Sequence, residues 1–468
     1  MGRGVPGGRP SFPVKIANPA TGAVIRELAE DGDGEVAGKH ERARGAQPSW
    51  AARPYEERAA AIRRFCDGLV HRREEAARTL TSEMGKPITQ SRNELEALPA
   101  RIDFFLQTTP EVLREETVLR REGLEEAITR EPLGVVANVS AWNYPYFVGS
   151  NVFIPALLTG NSVLYKPSEY ATLTGLLIGE VMREAGVPED VFIVVPGGGE
   201  TGAAVAAQAV AALCFTGSYA TGRRIAAEAA GRLIRLNLEL GGKDPVYVAD
   251  DVEVGSAAAS VAEGAFYNTG QSCCAVERVY VHQAVHDRFV EAFVAAVQSY
   301  VVGDPMDPRT FIGPLARPAQ IGLLERQVED ARARGGRLLL GGKRIAQPGS
   351  WFEPTVIADA NPSMELMREE SFGPLIGVQR VADDGEAAVL MNDTPYGLTA
   401  GVYSSDLARA RRILSRVHSG SVYWNCCDRV SPRLPWSGRG HSGIGSTLGR
   451  EGIRAFVQPK AWHLRRPS

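Results

Sequence analysis

The most restrictive feature of this sequence is an alternation, from about residue 134 onward, between short apolar runs and stretches with helical periodicity. GVVANVS (134–140) and NSVLYK (161–166) are rich in β-branched residues, whereas TLTGLLIGEVMREAG (172–186) has helical spacing and ends in glycine. The alternation continues to IRLNLEL (234–240). Strands that alternate with helices pair in parallel, so the sequence predicts a doubly wound parallel sheet with helices on both faces.

A second alternation of the same kind follows residue 250. The segment 251–268 has helical spacing, RVYVH (278–282) is extended, and LIGVQRV (375–381) is a further strand candidate. A chain of 468 residues is too long for one ordinary core. We therefore expect an α/β protein with a second α/β domain after the first.

The segment RREGLEEAITREP (120–132) is charged and alternating, and it has no core of its own. Two interpretations stay open at this point, an exposed hairpin that pairs with another subunit and a solvated connector. We assign the chain to a first domain (1–111 and 133–240), a second domain (241–440) and a small β arm for oligomerisation (112–132 and 441–468).

Composition excludes several classes of partner. The formal net charge of −3 gives no sign of binding to nucleic acid or to an anionic membrane. The longest apolar stretch, 203–215, is interrupted by Gln208 and is too short to cross a bilayer. The N-terminal MGRGVPGGRP (1–10) is basic but lacks the apolar core of a secretory signal.

The cysteines argue against a disulfide framework, because the chain is large and four of the six stand in adjacent pairs. We predict a reducing, cytoplasmic location. No CxxC occurs and the seven histidines are scattered, so no metal site is predicted. The cysteines are Cys66, Cys214, Cys273, Cys274, Cys426 and Cys427.

Two glycine-rich turns connect predicted strands to predicted helices. PGGGETG (196–202) matches the GxGxxG pattern, but no acidic residue ends a strand about 20 residues later, where a ribose would need one. FTGSYATG (215–222) would let backbone N–H groups and the Ser218 hydroxyl face a pyrophosphate at a helix N-terminus. Each is equally compatible with an ordinary tight turn.

The segment FYNTGQSCCAVER (266–278) places two thiols side by side. Neighbouring side chains in an extended stretch or turn point to different sides, so we expect only one of Cys273 and Cys274 to face a given cavity. A nucleophilic cysteine needs thiolate character. On residue type alone, two small buried apolar side chains are the alternative.

Two polar residues stand at the predicted carboxyl edge of the first sheet, where ligands bind in such folds. Glu239 ends an apolar strand just before two glycines, and it is a candidate general base or an ion-pair partner of Lys243. Asn143 follows another strand, and its amide is a candidate oxyanion donor or a turn former.

Taken together, these motifs resemble the aldehyde dehydrogenase superfamily in order and approximate spacing, over nearly the whole chain. The C-terminal half continues the resemblance with several further motifs. The matching segments are AWNYP (141–145), YKPSE (165–169), FTGS (215–218), LELGGK (238–243), FYNTGQSC (266–273), EESFGP (369–374), NDTPYGL (392–398), GSVYWN (420–425) and SGIG (442–445).

The resemblance implies a mechanism for oxidising an aldehyde to a carboxylic acid. Cys273 matches the nucleophile and carries a thiohemiacetal and then a thioester. The Asn143 amide and the Cys273 backbone N–H match the oxyanion donors, and Glu239 matches the base that activates water.

The resemblance also implies a nicotinamide cofactor. Lys166 and Glu169 match contacts to the adenosine ribose, and a carboxylate there favours NAD over NADP because it repels a 2′-phosphate. Ser218 matches the pyrophosphate contact, which makes the 196–202 turn a secondary candidate. The full set of predicted cofactor residues is Trp142, Lys166, Glu169, Ser218, Glu370 and Phe372.

One stretch departs from the family pattern. Many members read PFGGxKxSG near the C-terminal end, where this chain has PWSGRGHSG (435–443), with Ser437 for a glycine and Gly440 for the lysine. The resemblance therefore does not predict the shape of that loop. The resemblance also implies a homodimer built from the 120–132 arm, or a homotetramer.

The sequence suggests two classes of aldehyde substrate. Aromatic candidates at the entrance favour an apolar aldehyde, whereas Arg429 and Arg433 suggest a clamp for a semialdehyde carboxylate. A CoA-acylating enzyme and a non-catalytic NAD-binding protein are the rival functions, and the presence of Glu239 and Cys273 argues against each in turn. The entrance candidates are Tyr146, Phe147, Tyr267, Ser272, Cys274 and 426–436.

Overall fold

The structure is a computed structural model that describes residues 13–467. The prediction made for the basic stretch 1–10 lies outside the described residues. No helix within the described part of the chain is both long enough and apolar enough to cross a membrane. The α-helices are α1 (Asp33–Ala51), α2 (Tyr55–His71), α3 (Arg73–Met84), α4 (Ile88–Leu113), α5 (Pro145–Leu158), α6 (Thr172–Glu184), α7 (Gly199–Ala207), α8 (Tyr219–Ala229), α9 (Val254–Phe266), α10 (His286–Gln298), α11 (Ala319–Ala333), α12 (Asp384–Met391), α13 (Leu407–Leu414) and α14 (Gly449–Arg454).

The strands form two large sheets and three small ones. They are β1 (Val14–Ala17), β2 (Val24–Leu28), β3 (Glu116–Arg121), β4 (Leu124–Pro132), β5 (Val135–Val139), β6 (Ser162–Lys166), β7 (Phe192–Val194), β8 (Ala212–Thr216), β9 (Arg235–Glu239), β10 (Pro245–Val248), β11 (Arg278–His282), β12 (Arg337–Leu340), β13 (Thr355–Ala358), β14 (Leu375–Val381), β15 (Tyr396–Gly397), β16 (Thr399–Tyr403), β17 (Ser421–Trp424), β18 (Arg439–Gly440), β19 (Gly443–Ile444) and β20 (Val457–Arg465).

The first large sheet has the strand order β19-β9-β8-β5-β6-β7. Strands β5 to β9 are parallel and β19 is antiparallel. Successive side chains of one strand enter different cores: Val135 and Ala137 pack in the core shared with α1 and α7, and Val136 packs in the core shared with α2 to α6. A strand buried on both faces reads as a continuous apolar run, which explains why the sequence pattern identified these strands.

The second large sheet has the order β12-β13-β14-β11-β10-β16-β17 and is parallel except for β12. Its two faces are likewise buried in separate cores, one with α9 and α10 and the other with α11 to α13. The predicted second α/β domain is present, and the α/β fold class is confirmed.

The 120–132 segment forms part of an antiparallel hairpin of β3 and β4. Strand β4 also pairs with β20 of the same chain, giving the three-stranded order β20-β4-β3. The side chains of β3 are exposed along its whole length. The solvated connector is therefore excluded by the regular pairing, while the use of this arm for assembly stays a prediction.

The loops that carry the candidate residues meet between the two large sheets. Gly242, in the loop after β9, donates its N–H to Glu370 Oε1 at 3.0 Å, and the Asn143 amide, after β5, donates to Gln271 O at 3.2 Å. Loops at the carboxyl edge of the first sheet thus contact loops of the second domain. The site is built at this junction.

Candidate active site

Cys273 lies in the loop between α9 and β11. Asn268, Thr269 and Gly270 adopt left-handed backbone conformations with φ of 55°, 59° and 71°. A Cβ on Gly270 would lie 2.3 Å from Gly373 O, so this position requires glycine. The turn holds the cysteine segment against the 370–373 segment of the second domain.

The structure distinguishes the two adjacent thiols. Cys273 is half-buried, whereas Cys274 is buried and its Sγ donates to Asp428 Oδ1 at 2.9 Å. Its contact with Cys273, burial and the Asp428 carboxylate together raise the pKa of Cys274 well above its usual value. Cys274 is therefore held as a neutral thiol, and Cys273 is the accessible sulfur.

The expectation that the two thiols could not face one cavity is wrong. Both line a cavity of about 330 Å³, because they lie in a tight turn rather than in an extended strand. Ser272 also lines this cavity and donates a hydrogen bond to Asp428 Oδ1 at 3.3 Å.

Two helices contribute one face each to the same cavity. Tyr144, Phe147, Val148 and Asn151 at and after the start of α5 follow the i, i+3, i+4, i+7 spacing of a single helix face. Tyr146 falls on another face and is buried, with its hydroxyl donating to Ala76 O, so its prediction as an entrance residue is wrong. From α4 come Gln90, Asn93, Glu94, Ala97 and Arg101.

Most of the other predicted entrance residues are in place. Tyr267 and Phe147 line the cavity, as do Cys427 to Val430 and Trp436 from the 426–436 segment. Arg429 lies at its exposed side, whereas Arg433 is exposed and does not line it. The Arg433 half of the predicted clamp is therefore wrong.

Asn143 is buried and forms two hydrogen bonds with the cysteine loop. Its Nδ2 donates to Gln271 O, and its backbone carbonyl accepts from Asn268 Nδ2 at 3.2 Å. An asparagine amide has two hydrogens, so one of them is not used in this contact, although Asn143 itself does not line the Cys273 cavity in this conformation.

The loop after Glu239 also reaches the cysteine. A Cβ on Gly242 would lie 2.9 Å from Cys273 O, and one on Gly241 would lie 2.3 Å from Glu370 Oε1. The two glycines let this loop pack directly on the 273 and 370 segments. Burial raises the pKa of the Glu370 carboxyl to about 8.

Glu239 is buried at the end of β9. Its Oε1 accepts from Thr447 Oγ1 at 3.0 Å, and its Oε2 has no hydrogen-bond partner among the described residues. Burial raises its pKa to about 8. The alternative ion pair with Lys243 is not formed, because Lys243 pairs with Glu277 instead. In this conformation the carboxylate lines neither the Cys273 cavity nor the cleft beside it.

A second, larger cleft of about 690 Å³ lies along the first sheet. Four predicted cofactor residues line it together: Trp142, Lys166, Glu169 and Ser218. Ser218 caps the N-terminus of α8, and burial lowers the pKa of Lys166, whose Nζ lies 3.8 Å from Glu169 Oε2. Gly199 and Gly202 of the other glycine-rich turn line the same cleft.

The remaining two predicted cofactor residues do not line this cleft, but they contact residues beside it. The Phe372 ring meets the Trp142 ring edge-on, with centroids 5.4 Å apart, and Glu370 contacts the loop after Glu239. Trp142 lines the cleft, and Tyr144, two residues later, lines the Cys273 cavity. The cleft and the cavity therefore approach each other around residues 142–144.

The model of the aldehyde dehydrogenase family matches residues 8–462. The chain belongs to this family. The resemblance seen in the motifs is thereby confirmed, and members of the family use nicotinamide cofactors. Within the described residues, no group of three or more His, Cys, Asp or Glu side chains is arranged to hold a metal ion.

Individual relatives differ in the substrate and cofactor that their names give. The chain is 36% identical over 454 residues to a betaine aldehyde dehydrogenase of Cereibacter sphaeroides, covering 97% of this chain and 94% of the relative. It is 34% identical over 456 residues to a succinate-semialdehyde dehydrogenase [NADP(+)] of Deinococcus radiodurans, covering 97% and 95%.

Solved structures of family members superpose closely on this chain. PnpE in complex with nicotinamide adenine dinucleotide has a TM-score of 0.94 and 34% identity, covering 97% of this chain and 94% of PnpE. The structure of PnpE from Pseudomonas sp. WBC-3 gives the same TM-score and identity. The fold of this family member is therefore that of the solved enzymes along nearly its whole length.

Sequence reasoning missed several polar residues of the site. Thr447 and Arg101 contact or line it, yet neither belongs to a motif or segment named in the sequence analysis, and Asp428 was included only as part of the 426–436 segment, with no role of its own. A signal for one of them was present: Glu94 and Arg101 are seven residues apart in α4, which places two charges on one helix face between apolar residues.

Proposed function

We propose that this chain oxidises an aldehyde to a carboxylic acid with NAD, through a covalent intermediate on Cys273. The observation that carries the proposal is the packing of three loops around one half-buried thiol. The Asn143 amide contacts the cysteine loop, and Gly242, three residues after Glu239, lies against the Cys273 carbonyl.

The cleft along the first sheet has the features that NAD needs. Ser218 and the N-terminus of α8 offer donors for a pyrophosphate, and the glycines at 199 and 202 leave room for close approach. Lys166 and Glu169 line the same cleft and would contact the adenosine ribose. When bound, the nicotinamide supplies the acceptor for a hydride.

Glu169 supports NAD over NADP. Its side chain is 41% exposed in the cleft, and its carboxylate would accept hydrogen bonds from ribose hydroxyls and repel a 2′-phosphate. PnpE was solved with NAD, while the Deinococcus relative is named for NADP(+). We expect a higher kcat/KM for NAD than for NADP; a higher value for NADP would contradict this role of Glu169.

Cys273 acts as the nucleophile. Its sulfur adds to the carbonyl carbon of the aldehyde, and the former carbonyl oxygen becomes an oxyanion. The free hydrogen of the Asn143 amide and the Cys273 backbone N–H donate to this oxygen, each contributing on the order of 3 kcal/mol to the transition state. After oxidation, the acyl group is a thioester on the same sulfur.

Glu239 releases the product. Its carboxylate removes a proton from water, the resulting hydroxide attacks the thioester carbon, and the C–S bond breaks to give a carboxylate and the free Cys273 sulfur. The unpartnered Oε2 supports this role, because a buried oxygen without a donor is available to a proton. To reach the thioester, the side chain has to rotate away from Thr447.

The adjacent thiols provide the matched test of the proposal. Cys273→Ala is expected to abolish NADH formation, because no other accessible sulfur lines the cavity in the Cys273 position. Cys274→Ala is expected to retain formation of the acyl-enzyme, detected by mass spectrometry of the intact protein. NADH formation by Cys273→Ala at a rate close to that of the unaltered enzyme would refute the proposal.

We further propose a cytoplasmic homodimer or homotetramer assembled through the β3–β4 arm. The open edge of β3 and its exposed Val118 and Leu119 side chains support this use.

A further inference from the structure

One positively charged side chain of the Cys273 cavity, that of Arg101, has no role in the mechanism proposed above. Arg101 is only 5% exposed, although it lines the cavity from α4. Its Nη1 donates to Asn151 Oδ1 at 2.8 Å, and its guanidinium lies 4.3 Å from the centre of the Phe147 ring. Its Nε is buried without a hydrogen-bond partner in the described structure.

The Arg101 guanidinium has no direct ion-pair partner, although the nearby Glu94 carboxylate attracts it. Burial lowers its pKa to about 10, so the guanidinium is still charged at neutral pH. No carboxylate of the described residues forms an ion pair with it. The nearby Glu94 is already used, because its two oxygens accept from Lys86 Nζ and from the backbone N–H groups of Tyr146 and Phe147. A buried charge without a partner is costly, which marks this position as one that is completed by a ligand.

The other charged groups of the cavity do not offer the same site. Asp428 accepts hydrogen bonds from Cys274 and Ser272, beside the reactive sulfur. Glu263 and Arg429 are exposed at its outer side. A positively charged substrate group would have to share the cavity with the buried guanidinium, and a neutral one would leave that guanidinium unpaired.

We propose that Arg101 binds a carboxylate at the end of the substrate opposite the aldehyde, so that the substrate class is semialdehydes of carboxylic acids. This inference rests on the proposed function and specifies its substrate. A guanidinium held by Asn151 and Phe147 presents its free N–H groups to a carboxylate in a fixed orientation. The anchor is therefore the buried Arg101 rather than the surface pair Arg429 and Arg433.

Kinetics with a charged and a neutral aldehyde of equal chain length test the anchor. The enzyme is expected to show a kcat/KM for succinate semialdehyde about 10- to 100-fold above that for butanal, as a charged hydrogen bond allows. Arg101→Gln is expected to remove this preference through a higher KM for the semialdehyde, and Arg101→Lys to restore part of it. Arg433→Gln, which alters an exposed arginine outside the cavity, is the matched control and should keep the preference.

Several outcomes would overturn the inference. These are an equal loss of kcat/KM for both aldehydes in Arg101→Gln, loss of the preference in Arg429→Gln instead, and a preference of the unaltered enzyme for butanal or for betaine aldehyde. The thermal unfolding midpoint of Arg101→Gln is measured alongside, so that a loss of folded enzyme is distinguished from a loss of carboxylate binding.

Binding separates this inference from the proposed function. Succinate, which carries the carboxylate but no aldehyde, is titrated calorimetrically into Cys273→Ala, with butyramide as the uncharged control. Succinate binding that disappears in the double variant Cys273→Ala, Arg101→Gln supports the anchor even if no aldehyde is oxidised. Oxidation of butanal without any binding of succinate would leave the proposed function intact and refute the anchor.

Discussion

At the scale of single residues, different surroundings give chemically identical side chains different properties. Cys273 and Cys274 have the same functional group and adjacent positions, yet one is half-buried and the other is buried with its hydrogen donated to Asp428. A buried thiol beside a carboxylate resists ionisation, since both burial and negative charge disfavour a thiolate. The turn around residue 273 therefore assigns different roles to two identical side chains.

Glu239→Gln should separate the two halves of the reaction. In the proposed mechanism the thioester forms without this carboxylate, so a burst of NADH equal to one turnover should precede a slow steady state. The steady-state rate should fall by about 10²- to 10⁴-fold, the usual contribution of a general base. Stopped-flow absorbance measures both phases. Glu184→Gln, on the exposed surface of α6, is the control and should show no burst.

The pH dependence of product release follows from the same residue. A general base works in its ionised form, and burial raises the pKa of Glu239 to about 8. The rate of thioester hydrolysis should therefore rise with pH below about pH 8 and level off above it. Single-turnover measurements between pH 6 and 9 would show this profile. A rate that is flat over this range would remove Glu239 as the base.

At the scale of elements, loops rather than helices decide the geometry of the site. The 268–270 turn depends on a left-handed backbone, and the loop after β9 depends on two adjacent glycines that meet Cys273 and Glu370. The departure at Gly440 has a similar explanation, because its φ is 58° and a Cβ there would lie 2.4 Å from Pro395 O. With this backbone, the lysine usual in the family would be strained.

Gly270→Ala tests the turn that holds Cys273, the proposed nucleophile. The added Cβ meets Gly373 O at 2.3 Å in a left-handed conformation, so we expect a loss of stability of about 2–4 kcal/mol and a large fall in kcat. Thermal unfolding and NADH formation measure the two effects.

Gly45→Ala, on the exposed surface of α1, serves as the control for that substitution. A Cβ added at Gly45 would have no heavy atom within 4 Å, and alanine favours a helix over glycine by up to about 1 kcal/mol. This variant should be as stable as the unaltered enzyme or more stable. Equal behaviour of the two alanine variants would contradict the steric argument at Gly270.

At the scale of the whole molecule, the described chain contains two mostly parallel sheets whose loops meet at the candidate site, and one antiparallel arm that leaves an open edge. The arm joins residues far apart in sequence, because β4 pairs with β20 over nine positions from Val457↔Pro132 to Arg465↔Leu124. The outer strand β3 has no further partner among the described residues. An exposed edge of this kind can pair with a second chain.

Val118→Lys tests assembly through that edge. Val118 is 57% exposed in β3, and a lysine there should prevent strand pairing between subunits while leaving the fold intact. Light scattering after gel filtration should show a smaller oligomer than that of the unaltered enzyme. Val24→Lys, at a comparably exposed valine of β2, should leave the mass unchanged. An unchanged mass for Val118→Lys would show that the arm edge is not the interface.

The sequence by itself determined the α/β class, because strands buried on both faces must be continuously apolar. It also determined the family, because motifs such as LELGGK and FYNTGQSC occur in the family's order and contain the residues that their local backbone conformations require. Tertiary structure alone decided which side chains share a cavity. Arg101 on α4 and Asp428 after β17 join the Cys273 cavity only through folding, and Thr447 likewise reaches Glu239 only through folding. Burial and electrostatic partners depend on contacts between distant segments, and no local pattern encodes them.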